Sequence, residues 1–248
     1  MVTRTILSDW LDEYLRVSEV PDHAPNGLQI EGKAEIGRII AAVSINREVI
    51  EKAVAEKADA ILVHHGMFWK NEDAALRGYR KERVKLILQH DINLFAYHLP
   101  LDVHPEIGHN NLILKGIGAA AGPPEEGSYG RRGSFHTPLG FGELVERLNS
   151  ALHTEARYFH NGKESIETVY VVSGAGRNEI ERVCELGVDA YITGDAKEST
   201  PYVSREAGMN YIFAGHYNTE RLGIVELSKI IAEQFGVDAR FVDVDNTL

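Results

Sequence analysis

The chain repeats one pattern of apolar and amphipathic segments, and this repeat limits the folds that it can adopt. RIIAAVSINREVIEKAVAEKADAILVHHG begins at Arg38, and TVYVVSGAGRNEIERVCELGVDAYITGDA begins at Thr168. Each stretch has an apolar β-branched run, a short loop, a segment with helical spacing, and a second apolar run after Asp-Ala. Strand, helix and strand in this order predict a βαβ unit with parallel strands. The sequence therefore predicts an α/β protein built from two similar halves.

The similarity between the halves continues downstream of each βαβ unit. A charged helix over about 77–90 precedes INLFAYHLPLD, and a helix over about 201–207 precedes MNYIFAGHYNTE. The matched positions are Val43-Ser44 with Val172-Ser173, Asp59-Ala60 with Asp189-Ala190, and Phe95-Ala96 with Phe213-Ala214. This alignment requires one inserted residue between the first two pairs, and each third strand then ends in His-x-x-x-carboxylate. Because four residues make about one helical turn, the histidine and the carboxylate share a face if a helix begins there.

Histidines and carboxylates thus collect at the ends of predicted strands. His64 and His65 stand side by side at the end of ILVHHG. Neighbours on a strand point to opposite faces, but at its end the backbone can turn and send both side chains into one cavity. With the two His-x-x-x-carboxylate pairs, the candidate metal ligands are His64, His65, His98, Asp102, His216 and Glu220.

The number and chemistry of these ligands indicate two metal ions. Six nitrogen and oxygen ligands exceed what one tetrahedral zinc ion needs, whereas two ions that share a bridging ligand would use them. Imidazole and carboxylate without thiolate leave zinc, manganese, iron, cobalt and nickel open. Because open α/β sheets bind ligands at the carboxyl ends of their strands, we expect the site there, between the two halves. Core histidines that hold no metal are the alternative interpretation.

Other polar residues near these strand ends are weaker candidates. Asp195 in YITGDA matches His65, so it is a candidate for a catalytic, proton-transferring carboxylate, and a helix cap is the alternative. His104 is a second candidate for proton transfer, and His104, His109 and Asn111 either line the pocket or hydrogen-bond within their loop. SGAGRN follows a predicted strand but lacks a complete GxGxxG pattern, so a tight turn is favoured over a phosphate site.

Composition and charge restrict the partners and the location. The formal net charge of -11 argues against nucleic acid or an anionic membrane as the main partner. A single cysteine, Cys184, cannot form an internal disulfide, which fits a reducing compartment. The start, MVTRTILSDWLDEYL, predicts an amphipathic helix rather than a signal peptide, and no apolar run is long enough to span a membrane. We expect a cytoplasmic protein with a small-molecule substrate.

Turn-forming residues predict where the two domains meet. AAGPPEEGSYGRRG, over residues 120–133, is the best candidate for a boundary. FGELVERLNSALHTEARYFHNG predicts a helix and then a strand that completes the second half, and an amphipathic helix over Arg221–Phe235 precedes the strand ARFVDV. We expect a first α/β domain of residues 1–124 plus 210–248 and a second α/β domain of residues 125–209, both with mixed sheets.

Five blocks of the sequence resemble a known family. NGLQIEG, ILVHHG, AYHLPLDVHPEIGHNN, YITGDA and GHYNTE, in this order over nearly the whole chain, are similar to the short bacterial GTP cyclohydrolase 1 type 2 homologues, also called NIF-three-like proteins. The resemblance implies a two-domain α/β protein that assembles as a homohexameric toroid, with a dinuclear metal centre facing an inner cavity. It places the metal ligands on the same six residues. Many relatives carry a histidine after the Asp of YITGDA, and this chain has none.

Two functions are open at this point. The leading hypothesis is a metal-dependent hydrolase acting on a nucleotide-, pterin- or phosphoester-type substrate, because two metal ions ~3.5–4 Å apart lower the pKa of a bound water towards ~7. The alternative is a non-catalytic metal-binding or regulatory scaffold. Structural metal sites are usually closed by protein ligands, whereas six ligands shared by two ions leave room for an exchangeable water. This difference favours hydrolysis.

Overall fold

A computed structural model of the chain describes residues 1–125, 127–244 and 246. The chain forms two compact units. Unit 1 consists of Met1–His104 and Gly223–Asp245, and the main part of unit 2 is Pro105–Leu222. Within the described ranges, no helix combines the length and the apolar character needed to cross a lipid bilayer.

Strands and helices occupy most of the described chain. The strands are β1 (Val2–Thr3), β2 (Gly27–Ile30), β3 (Glu35–Ile36), β4 (Arg38–Ser44), β5 (Ala60–His65), β6 (Asn93–Ala96), β7 (Ala120–Pro124), β8 (Arg131–Gly140), β9 (Arg157–Phe159), β10 (Ser165–Val172), β11 (Ala190–Thr193), β12 (Asn210–Phe213) and β13 (Asp238–Phe241). The α-helices are α1 (Arg4–Tyr14), α2 (Arg47–Ala55), α3 (Gly78–Gln89), α4 (Leu99–Asp102), α5 (His109–Ile117), α6 (Phe141–Leu152), α7 (Ile180–Glu185), α8 (Thr200–Ala207), α9 (His216–Thr219) and α10 (Arg221–Phe235). Single 3-10 turns lie at Val17–Glu19 and Gly176–Asn178.

Each unit is built on one mixed sheet. In unit 1 the strand order is β13-β4-β5-β6-β2, in which β2 alone is antiparallel to its neighbour. In unit 2 the order is β7-β8-β10-β11-β12-β9, and the central strands β10, β11 and β12 are parallel. The predicted fold class, α/β with βαβ units and mixed sheets in two halves, is confirmed.

The central strands are buried on both faces, which explains their nearly continuous apolar sequences. In unit 1, helix α2 begins after Asn46, whose Oδ1 accepts the Val49 N–H at 3.0 Å. Its apolar face packs Val49, Ile50 and Ala53 onto the sheet. In unit 2, the apolar residues of α5 and α6 pack with β10, β11 and β12 in one cluster.

The two βαβ units are equivalent at a constant offset. Strand pairing sets Ile39 opposite Ala60 in unit 1 and Val169 opposite Ala190 in unit 2, so each matched residue lies 130 positions further on. The two βαβ units therefore align without an insertion. The sequence alignment, which placed one inserted residue between the first two matched pairs, is wrong at Val43-Ser44 and Val172-Ser173. Lys57 and Gly187, which follow the two helices at this offset, both adopt left-handed backbone conformations, with φ of 56° and 64°.

The third strands are shifted by one residue from the sequence alignment. Ala60 pairs with Asn93, and the equivalent Ala190 pairs with Asn210. Asn93 is therefore equivalent to Asn210, and the match of Phe95-Ala96 with Phe213-Ala214 is wrong. Unit 2 has one additional residue between its third strand and His216.

A buried asparagine holds the start of each third strand. Asn93 Oδ1 accepts the Gly32 N–H at 2.8 Å, and its Nδ2 donates to the carbonyls of Lys33 at 2.9 Å and Asp59 at 3.1 Å. The side chain thus connects its own strand to the preceding strand and to the loop before β3.

The same three hydrogen bonds recur in unit 2. Asn210 Oδ1 accepts the Gly162 N–H at 2.8 Å, and Nδ2 donates to the carbonyls of Lys163 at 2.7 Å and Asp189 at 3.1 Å. Neither asparagine is exposed to solvent. Two units that share such an atom-by-atom network are repeats of one structure.

A carboxylate completes each network, and it is buried in unit 2 and half-buried in unit 1. Asp189 Oδ2 accepts the N–H groups of Glu167 and Thr168 at 3.0 and 2.9 Å, and Oδ1 lies 2.9 Å from Lys163 Nζ. Burial alone would raise the pKa of the Asp189 carboxyl. The hydrogen bonds from Lys163 and the two N–H groups lower it by more than burial raises it, so the net pKa shift is downward. In unit 1, Asp59 makes the equivalent contacts with Lys33, Gly37 and Arg38.

The unit boundaries differ from the expected domains 1–124 plus 210–248 and 125–209. Strand β12 belongs to unit 2 because it pairs with β11 and β9 in the six-stranded sheet. Helix α5 also belongs to unit 2, since it packs against α6 and β7. The glycine- and proline-rich segment around 120–133 forms part of the β7–β8 hairpin instead of a linker.

We predict that Asn93→Ala and Asn210→Ala each lower the free energy of unfolding by about 2–4 kcal/mol, because each removes three hydrogen bonds made by a fully buried side chain. Asn178→Ala, at an exposed position, should change it by less than about 0.5 kcal/mol. Urea unfolding followed by circular dichroism measures the difference. Equal effects at all three positions would contradict the role of the network.

A second prediction concerns acid stability. Because the pKa of Asp189 is lower in the folded state, its stabilising contribution is complete above the unfolded pKa of about 3.9 and is lost as pH falls below that value. Asp189→Asn should be less stable than wild type at pH 7 and lose less stability between about pH 5 and 3. Unfolding midpoints across that range test this, and parallel profiles for the two proteins would refute it.

Candidate metal centre

The carboxyl end of β5 brings His64 and His65 together. His65 is the last residue of the strand, and the two ring centroids are 4.5 Å apart. The chain leaves the sheet at Gly66, where a Cβ would collide with the side chains of Gln29 and Ala96. A glycine is required at this turn, and the turn allows neighbouring imidazoles to converge.

His64 is oriented by a backbone carbonyl. Its ring is fully buried, and Nδ1 lies 2.9 Å from the Tyr97 carbonyl oxygen. A carbonyl can only accept, so Nδ1 carries the proton in the neutral ring and Nε2 carries the lone pair. Nε2 lies 3.6 Å from Asp102 Oδ2, and the Asp102 side chain is also buried. A lone pair and a carboxylate oxygen that face each other in this way suit a shared cation.

His65 and His98 are oriented in the same way. His65 Nδ1 lies 2.9 Å from Ser44 Oγ, and His98 Nδ1 lies 3.0 Å from Asp22 Oδ1. A hydrogen bond at Nδ1 fixes the ring and leaves Nε2 for a metal ion, which is the usual arrangement of metal-binding histidines. One ring nitrogen from each of His64, His65 and His98 lies within 4.8 Å of the others.

The donors of unit 1 therefore fit a first-row divalent metal ion. Three imidazoles converge, and the carboxylate of Asp102 lies beside His64. Helix α4 places Asp102 one turn after His98, as the spacing predicted. Neutral imidazole with carboxylate is the donor set that zinc, manganese, iron, cobalt and nickel accept.

Asp22, which belongs to none of the metal-ligand motifs in the sequence, holds His98 in place. Its Oδ1 accepts from His98 Nδ1, and its Oδ2 accepts from Asn26 Nδ2 and the Leu99 N–H, both at 2.9 Å. Burial raises the pKa of the Asp22 carboxyl, but hydrogen bonds from His98, Asn26 and the Ala24 N–H hold it well below its ordinary value. Asp22 lies in the turn-rich stretch PDHAPNG, which indicates a structured loop. The sequence does not show that this loop contacts His98, which lies 76 positions away.

In unit 2, His216 and Glu220 form a pair. Helix α9 begins at His216, whose Nε2 lies 2.9 Å from Glu220 Oε2. Glu220 is buried, and a Cβ at Gly174 would collide with its carboxylate and approach His216 Nε2 to 3.2 Å. Gly174 also has φ of +64°, which favours glycine. The absence of a side chain at this position makes room for the pair.

The SGAGRN segment is a tight turn, as the sequence favoured. The Gly174 N–H donates to Thr219 Oγ1 at 2.9 Å, and the Gly176 N–H donates to Thr193 Oγ1 at 3.1 Å. The Arg177 N–H donates to Asp195 Oδ1 at 3.0 Å. Since these three N–H groups bond within the protein, they do not form a phosphate cradle.

The candidates for proton transfer lie in different surroundings. Both oxygens of Asp195 are engaged by Arg177, through its N–H and through Nη1 at 2.6 Å. His104 is buried against α1, with Nε2 3.1 Å from the Tyr14 carbonyl oxygen and its ring 4.8 Å from the Tyr14 ring. Their catalytic roles stay predictions.

We predict that Asp22→Ala weakens zinc binding by about 10–100-fold, because His98 loses the carboxylate that sets its tautomer and orientation. Asp22→Asn, whose amide oxygen can still accept from Nδ1, should weaken it less. Asp9→Ala, an exposed aspartate on α1, is the matched control. Competition against a chromophoric chelator measures affinity, and equal affinities for Asp22→Ala and Asp9→Ala would contradict this assignment.

Comparison with known proteins gives a consistent result over the whole chain. The family model for Duf34/NIF3 (NGG1p interacting factor 3) matches residues 2–247. A Vibrio cholerae protein named GTP cyclohydrolase 1 type 2 homolog is 42% identical over 241 residues, which cover 95% of this chain and 96% of that protein. A Yersinia pestis protein of the same name is 41% identical over 239 residues, covering 95% and 96%. A crystal structure of a protein from Thermus thermophilus is similar with a TM-score of 0.92 and 33% identity, covering 100% of both chains.

Proposed function

The chain belongs to the Duf34/NIF3 family, as its sequence blocks predicted, and from this premise we propose that it is a dinuclear metal-dependent hydrolase. The observation that carries the proposal is the convergence of His64, His65 and His98, each hydrogen-bonded at Nδ1. The relatives are named as homologues of a cyclohydrolase of GTP, which supports a nucleotide- or pterin-type substrate. A phosphoester is also within the proposal.

Both units supply ligands in this proposal. We assign the ligands to His64, His65, His98, Asp102, His216 and Glu220. Two arguments support one dinuclear site that uses the ligands of both units. The first is the family resemblance, and the second is the histidine and carboxylate that follow the third strand of each unit.

The protein groups have distinct tasks in the proposed reaction. Bound divalent metals supply Lewis acidity and lower the pKa of a coordinated water towards ~7. Asp22 and the Tyr97 carbonyl hold His98 and His64 in the orientation and tautomer that ligation needs, and Ser44 holds the orientation of His65. Asp102 and Glu220 contribute negative charge at buried positions, which offsets repulsion between two cations.

We predict two divalent ions per wild-type chain after reconstitution with zinc or manganese. Asp102→Ala and Glu220→Ala should each lower the content below one ion, because each carboxylate would offset part of the repulsion between two bound cations. Elemental mass spectrometry of dialysed protein measures the number of metal ions per chain. His136→Ala, at an exposed histidine of β8, should keep both ions.

Two outcomes would contradict this prediction. Wild type without metal after reconstitution excludes the dinuclear site. Loss of one ion in each carboxylate variant, with the other ion kept, excludes a shared bridge. His109 is fully buried, so His109→Ala would also lower stability and would not isolate an effect on metal content.

The non-catalytic scaffold remains the second candidate function. Metal-loaded wild type and His98→Ala should be screened in parallel against nucleotides, pterins and generic phosphoesters. Hydrolysis of one class by wild type and not by His98→Ala supports the hydrolase. Full metal content without turnover of any class supports the scaffold.

We also propose that the chain assembles as a homohexamer, on the basis of the family resemblance alone. Light scattering should give a mass near six times the chain mass of 27.6 kDa. A single mass near 27.6 kDa at all concentrations would exclude the hexamer.

A further inference from the structure

Unit 2 contains a cavity of about 420 Å³ beside His216. It lies at the carboxyl ends of β11 and β12, where residues 194–196 and 213–216 form part of its wall. A volume of roughly 300–1,000 Å³ is typical of small-molecule sites. We infer that this cavity binds a phosphorylated nitrogen heterocycle of nucleotide size, with its phosphate on Arg157 and Arg177. The inference rests on the proposed function, since it names the class of substrate on which the proposed hydrolase would act.

Arg157 offers an available cation at the cavity. It is exposed on strand β9, and its guanidinium carbon lies 5.3 Å from the centre of the Phe213 ring. Within the described residues, no carboxylate forms an ion pair with Arg157. Attraction between the cation and the aromatic ring holds the guanidinium near Phe213, and its N–H groups remain donors for an anion.

Arg177 supplies a second cation, which Asp195 holds in position. Nη1 lies 2.6 Å from Asp195 Oδ2, and 48% of the Arg177 side chain is exposed. A guanidinium has five N–H donors, so this one contact leaves others for a ligand. Asp195 occupies the position equivalent to His65, at the offset of 130 residues. Unit 2 therefore has, in place of a metal ligand, a carboxylate that positions an arginine.

The acceptors on the wall fit the N–H groups of a heterocycle. Asn218 Nδ2 donates to Thr154 Oγ1 and to the Ala214 carbonyl, both at 3.0 Å, which fixes the amide and leaves Oδ1 as an acceptor. Glu155 is exposed on the same wall and adds a carboxylate acceptor. A ligand that carries both a phosphate and ring N–H donors matches both sets of groups.

A phosphate monoester carries close to two negative charges, which matches two guanidinium groups. The N–H groups of Gly174, Gly176 and Arg177 bond within the protein, so we assign recognition of the anion to side chains. Arginine binds phosphate through two parallel hydrogen bonds, a geometry that lysine does not provide. Two arginines on one wall can therefore hold a phosphate monoester without metal.

The test measures binding of guanosine 5′-monophosphate to chelator-treated, metal-free protein by calorimetry, so that binding is separated from hydrolysis. Wild type should bind it, and guanosine should bind at least tenfold more weakly because it lacks the phosphate. Arg157→Gln and Arg177→Gln should each weaken binding of the monophosphate at least tenfold. Arg205→Gln, at an exposed position of α8 outside the cavity, removes the same charge and should leave binding unchanged.

Three results would overturn the inference. The first is absence of monophosphate binding to wild type. The second is equal binding of guanosine and its monophosphate, and the third is monophosphate binding that neither cavity substitution weakens. Metal content and hydrolysis are measured separately on the same preparations. Monophosphate binding without any hydrolysis by the metal-loaded protein refutes the hydrolase and keeps the pocket. Hydrolysis that does not depend on Arg157 or Arg177, in protein that binds no monophosphate, refutes the pocket and keeps the hydrolase.

Discussion

The register of the parallel strands depends on one buried asparagine in each unit. Asn93 and Asn210 each connect the start of a third strand to the preceding strand and to a loop, through three hydrogen bonds. A slip of one residue would break these bonds and move every strand side chain to the other face of the sheet. The asparagine network lies at the amino ends of the strands, and it fixes the register of the sheet. The register in turn decides which residues lie at the carboxyl ends, where the candidate ligands are found.

The two units use this common frame for different chemistry. In unit 1, Ser44 bonds to His65, and both lie at strand ends. At the equivalent positions of unit 2, Gly174 leaves room for the Glu220 carboxylate, and Asp195 pairs with Arg177. The first unit thus collects imidazoles, whereas the second combines one histidine–carboxylate pair with a cavity. The two units share the hydrogen bonds that hold the strands and differ in the groups at their carboxyl ends.

Orientation of the candidate ligands comes from groups that are distant in sequence. The Tyr97 carbonyl orients His64 across 33 positions, and Asp22 orients His98 across 76. These partners act on tautomer and ring angle, which decide whether a nitrogen lone pair faces a metal. The loop that carries Asp22 is therefore as much a part of the candidate site as the strands.

The sequence by itself determined the βαβ units, the strand ends and the six candidate ligands, because apolar periodicity and short motifs are local properties. It placed α10 at Arg221–Phe235, as observed. It did not determine the equivalence of Asn93 with Asn210, since backbone pairing between strands decides register. Likewise, only the tertiary structure assigned β12 to unit 2 and brought Asp22 to His98. Both depend on contacts between segments far apart in the chain, and such contacts produce no periodic pattern in the sequence.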